Sequence, residues 1–207
     1  GPAAAPVSTG PGSWQWELNG LPAIKGEAAM PGITVIARHM ALAIEAPVAE
    51  RSSFRDWNEM GRWYGKLLAA RSEVTPEVTR LVAARGSGQA PLYDRIRALS
   101  ESVQKDVRYV QVTLDATGYQ PRSPRDVLDT GYGDCKDKAN TLRLALAQIG
   151  VRSQLVLVNT NRGMVRRDTM PSAVFNHAVI AIQLPPDVPA DARKALPLID
   201  GGSGNTL

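Results

Sequence analysis

The chain holds one cysteine, Cys135, in the stretch Gly131-Tyr132-Gly133-Asp134-Cys135-Lys136-Asp137-Lys138. His177 follows 42 residues later, and Asp200 another 23 residues on. A thiol, an imidazole and a carboxylate can act as a nucleophile, a base that takes its proton and an acid that orients the base. Such a set performs acyl transfer through a covalent thioester. A lone cysteine is also a common small buried hydrophobe, so its surroundings decide the reading. Gly, Asp, Lys and Asp around Cys135 make a polar turn, not an apolar core run.

The element that must position Cys135 is a helix. Leu142, Ala145, Leu146 and Ile149 fall on one helical face, and Gly150 stands where a left-handed cap residue is expected. Asp134 suits the N-cap, because its carboxylate can accept a free backbone N–H of the first turn. Cys135 is then at the helix start. There the dipole and unpaired N–H groups favour an anion, so the thiol is expected to ionise more easily than a free one. The same N–H groups suit an acyl-transfer oxyanion. Lys136 and Lys138 read as solvated helix charges, with Asp137 pairing locally.

The base and the acid fall on strands. Residues 154–160 contain the apolar run Leu155-Val156-Leu157-Val158, and His177 opens a second apolar strand over 178–184. Leu196-Pro197-Leu198-Ile199-Asp200 reads as a third, short strand with its acid at the exit. These spacings allow a helix packed on an antiparallel sheet with all three groups at one edge.

Upstream, residues 1–13 are rich in Ala, Pro and Gly and are expected to be disordered or vector-derived. Trp14 to Leu18 alternates like a short strand, and Ile33 to Ile44 suggests one or two more. Residues 14–50 fit the end of a preceding β domain or a linker, 51–200 the core, and 201–207 a loop at a cut edge. His39 receives no role. Ser52 or Ser53 can cap a helix carrying Trp57, Met60, Tyr64, Leu67 and Leu68 on one face, with Asp56 in its first turn. Thr75-Pro76-Glu77 is a strong helix start. Pro91 opens a longer helix, Arg108 to Leu114 reads as a strand, and Ser123-Pro124 starts one more turn of helix.

At 207 residues and 43% apolar, the chain can bury one substantial core. Its net charge of +4 is mild and spread out, with no basic stripe among aromatics, so nucleic acid is disfavoured as a partner. One cysteine excludes an intrachain disulfide and a cysteine-based zinc site, and two distant histidines give no ligand spacing for a metal. No cofactor is implied. No apolar run approaches the roughly 18 residues of a membrane span, so membrane association would come only through parts outside this chain.

Gly133-Asp134-Cys135-Lys136-Asp137-Lys138-Ala139, Leu155 to Thr160 and Phe175-Asn176-His177-Ala178-Val179 resemble a bacterial transglutaminase-like core, the papain-like cysteine type. Trp57, Arg62-Trp63-Tyr64, Arg108-Tyr109-Val110 and Gln120-Pro121 add to the likeness, which covers roughly residues 52–200. It implies an α+β fold: N-terminal helices and a central cysteine-bearing helix on an antiparallel sheet, often preceded by a β domain. It implies Cys135 as nucleophile, His177 as base and Asp200 as orienting acid, with Asp187 and Asp191 as rivals because Gly201-Gly202 follows Asp200. Gln111 and Tyr109 are candidates for a second oxyanion donor, since Asp129 stands where papain-type enzymes carry a glutamine. Tyr132 and Asn176 are candidates for a substrate groove. The activity implied is crosslinking, amide hydrolysis or peptide cleavage on a protein or peptide carboxamide. The alternative is a binding or scaffolding module that retains the fold. Relatives point to a bacterial periplasm or cell envelope.

Overall fold

The structure, a computed structural model, describes residues 5–30, 32–37, 54–111, 118–160, 165, 170–171 and 173–184. The chain divides into two units, Gly1–His39 and Met40–Leu207. In the first, β1 (Val7–Gly10) and β2 (Ser13–Gln15) pair as an antiparallel hairpin. A strand therefore forms inside the segment whose composition suggested disorder. Ile33–Ile36 forms α1, a single helical turn, where a strand was expected. A run of four β-branched residues is too short for periodicity to separate the two. The remainder of that expectation, residues 38–44, lies outside the described residues.

In the second unit, α2 (Trp57–Ala69) starts one turn later than Ser52 or Ser53 would place it. Asp56 is its cap, accepting a hydrogen bond from the Glu59 N–H at 2.7 Å. α3 (Pro76–Leu81) begins at the expected proline, although the Thr75 side chain makes no capping bond. A π-helical turn, Val82–Gly86, follows, and then α4 (Leu92–Asp106). β3 (Arg108–Tyr109) pairs in parallel with β4 (Tyr132–Gly133), so among the described residues the expected strand is laddered over its first two. Residues 112–117 lie outside the description.

Between these strands lies α5 (Pro124–Thr130), closed by Gly131 at φ 66°. α6 (Cys135–Gln148) follows β4 at once. Its C-terminus is a Schellman motif: Gly150 at φ 78° donates to the Ala147 carbonyl, and Val151 donates to that of Leu146. β5 (Ser153–Val158) and β6 (His177–Ile182) form an antiparallel pair in which Val158 faces His177 and Leu157 faces Ala178.

α6 is the centre of this unit. It packs on β5 and β6 and on α3, α4 and α5. Leu142, Ala145 and Leu146 are buried as the periodicity predicts, and they join Val78, Ile96, Leu99 and Ile180 in one core. Each large apolar side chain buried there contributes about 1.5–3 kcal/mol. The result is the expected α+β architecture, a cysteine-bearing helix on an antiparallel strand pair with helices before it. Among the described residues no helix is long and apolar enough to cross a membrane.

Candidate active site

The turn that presents Cys135 is fixed by its own polar residues. The Asp134 carboxylate accepts the Asp137 N–H at 3.3 Å, and the Asp137 carboxylate accepts the Asp134 N–H at 3.2 Å. This reciprocal capping box satisfies free N–H groups at the helix start. The second Asp137 oxygen accepts the backbone N–H of Arg122 at 2.8 Å, tying the preceding loop to the same point. Gly133 permits this closeness, since a Cβ there would stand 2.9 Å from the Asp137 Cβ.

The two lysines are not solvated charges. Lys136 pairs with the Asp134 carboxylate. Lys138 is 1% exposed, and its ammonium donates to the carbonyls of Gln104 at 3.2 Å and Val107 at 2.8 Å. It caps the end of α4, just where the chain enters β3, and so fixes the strand beside the cysteine turn. A buried cation held by carbonyls follows from the rule that buried charges must be paired or hydrogen-bonded.

Cys135 and His177 line one cleft of about 270 Å³. β6 delivers His177 as its first residue, and the backbone N–H of the next residue, Ala178, acts on the Cys135 sulfur. Tyr109 and Gln111 line the same cleft. They are two residues apart on an extended segment and so share a face. Asn176 lines it too, but its amide is engaged with the backbone and hydroxyl of Thr160. Tyr132 is not among the lining residues; its ring lies under the Arg122 guanidinium, 4.6 Å away. Asp200, Asp187 and Asp191 lie outside the described residues.

Sequence reasoning missed the wall of this cleft. Tyr119, Phe175 and Leu157 line it. The Tyr119 hydroxyl donates to the Phe175 carbonyl at 2.9 Å, and both rings are backed by tryptophans of α2, Trp63 on Tyr119 and Trp57 on Phe175. The aromatic residues on α2 were legible, but their partners come from loops 56 or more residues away.

The thiol departs from expectation. Burial pushes the Cys135 thiol up from its ordinary value, and the adjacent Asp134 carboxylate adds to this. The Ala178 N–H, the Lys136 ammonium and the Lys136 N–H pull it down, but they do not win. Easier ionisation from the helix start is therefore overturned: desolvation of the charged form outweighs the helix end. Burial likewise holds the Asp137 carboxyl above its usual value. Among the described residues, no group of three His, Cys, Asp or Glu side chains is arranged to hold a metal.

The sequence pattern of the transglutaminase-like superfamily matches residues 80–185, just over half of the chain and including both Cys135 and His177. No curated protein matches the chain. The crystal structure of a candidate protease from Parabacteroides distasonis aligns with a TM-score of 0.48 at 16% identity, covering 67% of this chain. The chain spans about 30% of that protein's length.

Proposed function

Because the chain belongs to the transglutaminase-like superfamily, we propose that it is a thiol acyl-transfer enzyme acting on a protein or peptide carboxamide. The observation that carries this reading is the shared cleft of Cys135 and His177. In it, Cys135 gives its proton to His177 as the sulfur attacks the carbonyl carbon. The oxyanion meets the N–H groups at the start of α6, with Gln111 or Tyr109 as a second donor. His177 returns the proton to the leaving amine, and a thioester remains on Cys135. An amine completes crosslinking, and water completes amide hydrolysis or peptide cleavage. Asp200 is proposed as the acid that orients His177.

Burial that opposes ionisation of the thiol favours an imidazole that acts as a general base at the moment of attack over half of a standing ion pair. The cleft is small beside pockets for drug-sized ligands, which run from about 300 Å³ upward. Its size suits one side chain and its carboxamide. The raised thiol is also the observation that favours the second reading, a binding or scaffolding module in which the sulfur is never activated.

An activated acyl donor separates the two. Wild type is expected to form a Cys135 acyl adduct, read by mass spectrometry of the intact protein. His177→Ala is expected to form it at least about 10³-fold more slowly, as when a triad member is removed. Equal rates in the two proteins at every pH would sink the enzyme reading.

A further inference from the structure

β6 begins with His177, so this imidazole stands at the end of a ladder, opposite Val158. The ladder alone does not aim it. Ala178 and Ile180 are buried in the core, and strand alternation sets His177 with Val179 on the other face. His177 nevertheless lines the cleft of Cys135, with its Nε2 buried. Its direction is therefore set where the chain enters the strand. Three contacts hold that entrance. The Phe175 carbonyl accepts the Tyr119 hydroxyl at 2.9 Å. The Asn176 N–H, on the other side of the same planar peptide group, donates to the Val158 carbonyl at 3.2 Å. Because Val158 faces His177 in the ladder, Asn176 and His177 stand as two residues against one. That is the count of a β-bulge, which re-aims the side chain beside it. The third contact is made by the Asn176 side chain. Its Oδ1 accepts the Thr160 N–H at 2.9 Å, and its Nδ2 donates to the Thr160 hydroxyl at 2.9 Å.

The geometry points to Asn176 as a positioning residue for His177: its amide, clamped on Thr160, holds the bulge that turns the imidazole toward Cys135. The inference rests on His177 being the base of the proposed acyl transfer. Asn176 lines the same cleft, so contact with substrate is the competing role. Both ends of its amide are already bonded to Thr160, which favours the clamp. Asn176 is itself exposed. A hydrogen bond open to water adds little to stability, because water replaces it when it breaks. The clamp should therefore matter far more to the rate than to the melting temperature.

The probe is p-nitrophenyl acetate, whose acetyl group carries no side chain for a groove to grip. Acetylation of Cys135 is followed by mass spectrometry in wild type, Asn176→Ala, His177→Ala and the double variant. Asn176→Ala should acetylate about 100-fold more slowly, the loss that a displacement of about 1 Å brings. Added to His177→Ala, the same substitution should change nothing, because a residue that acts through another has no effect once the other is gone. Its melting temperature should stay within a few degrees of wild type. The chain has one cysteine, so alkylation by iodoacetamide reports on Cys135 alone. At alkaline pH, where the thiol ionises unaided, Asn176→Ala should alkylate as fast as wild type. Acetylation at the wild-type rate overturns the proposal. So does an equal loss in the His177→Ala background, and so does slow alkaline alkylation, which would put the effect on the sulfur. If Asn176→Ala does not fold, Thr160→Val takes its place in the same cycle. It removes only the clamp's hydroxyl, with about a tenfold loss expected, the scale of one hydrogen bond. Should His177→Ala acetylate like wild type, the reading of His177 as base falls and the Asn176 role with it. Should only Asn176→Ala do so, the Asn176 role falls alone.

Discussion

The two ends of α6 are built on opposite plans. At the C-terminal end, Leu142, Leu144 and Leu146 are buried among apolar neighbours, and the Gly150 turn closes the helix by backbone bonds alone. At the N-terminal end, Asp134, Asp137 and Lys138 are buried just as deeply, around a thiol whose ionisation burial opposes. Each end borders a hollow. The one beyond the C-terminus is larger, about 650 Å³, and is lined by Arg143, Arg152 and Gln183 with no nucleophile and base together. The one at the N-terminus is about 270 Å³ and holds both. Volume does not mark the candidate site; polar burial does. Buried charge is costly unless every group is satisfied, and this chain concentrates it where the cysteine must be held.

The sharpest way to break this contrast is to cut the apolar end. Leu146→Ala removes a fully buried side chain and is expected to lose about 2–5 kcal/mol of stability, read by denaturant unfolding. Below the new unfolding transition, the pH profile of Cys135 alkylation should match wild type. A shifted profile would mean that the two ends are one cooperative device rather than a scaffold and a site.

The polar end should fail in the reverse manner. Asp137→Asn leaves one of two buried N–H groups, those of Arg122 and Asp134, short of an acceptor, a loss of about 1–3 kcal/mol. Acyl-adduct formation should fall about 100-fold, because a small displacement of the nucleophile is that costly. The variant also carries a pH signature. The folded Asp137 carboxyl is held above its ordinary value by burial. The fold is therefore free of the penalty for its ionised form below the unfolded carboxylate pKa, and loses that freedom as pH rises through the folded one. Wild type should gain on Asp137→Asn as pH is lowered from neutral toward the carboxylate range. Paired melting curves check this, and movement in the other direction would mean that its two backbone bonds outweigh burial.

The same contrast explains what could be read from the chain in advance. The apolar end of α6, its glycine stop and the strands holding Leu155 to Val158 and His177 to Ile182 follow from periodicity, because burial there is apolar. Cys135 and His177 were legible as chemistry, and the Asp134 cap as geometry. Lys138 was not: a lysine on a helix reads as solvated, and only the end of α4, more than 30 residues away, supplies the carbonyls that bury it. The thiol was misread for a related reason. A helix start is visible in sequence, whereas desolvation depends on what packs over it. Tyr119 and Phe175 give no local signal, since their ring partners lie on α2. The place of Asp200 lies outside the described residues.

The smallest expected effect is at Gly150, and it tests the scaffold end on its own terms. Gly150 sits at φ 78°, and a Cβ added there meets nothing within 4 Å. Gly150→Ala therefore costs only the left-handed conformation, about 1 kcal/mol, with no steric term. Gly133 is the opposite case: a Cβ there meets Asp137 and Val127 at 2.9 and 3.3 Å, so what it requires is space. A melting temperature lowered by a few degrees with unchanged Cys135 alkylation is the expected result for Gly150→Ala. A change in the alkylation midpoint would show that the helix stop, about 20 Å of helix away, helps to set the thiol.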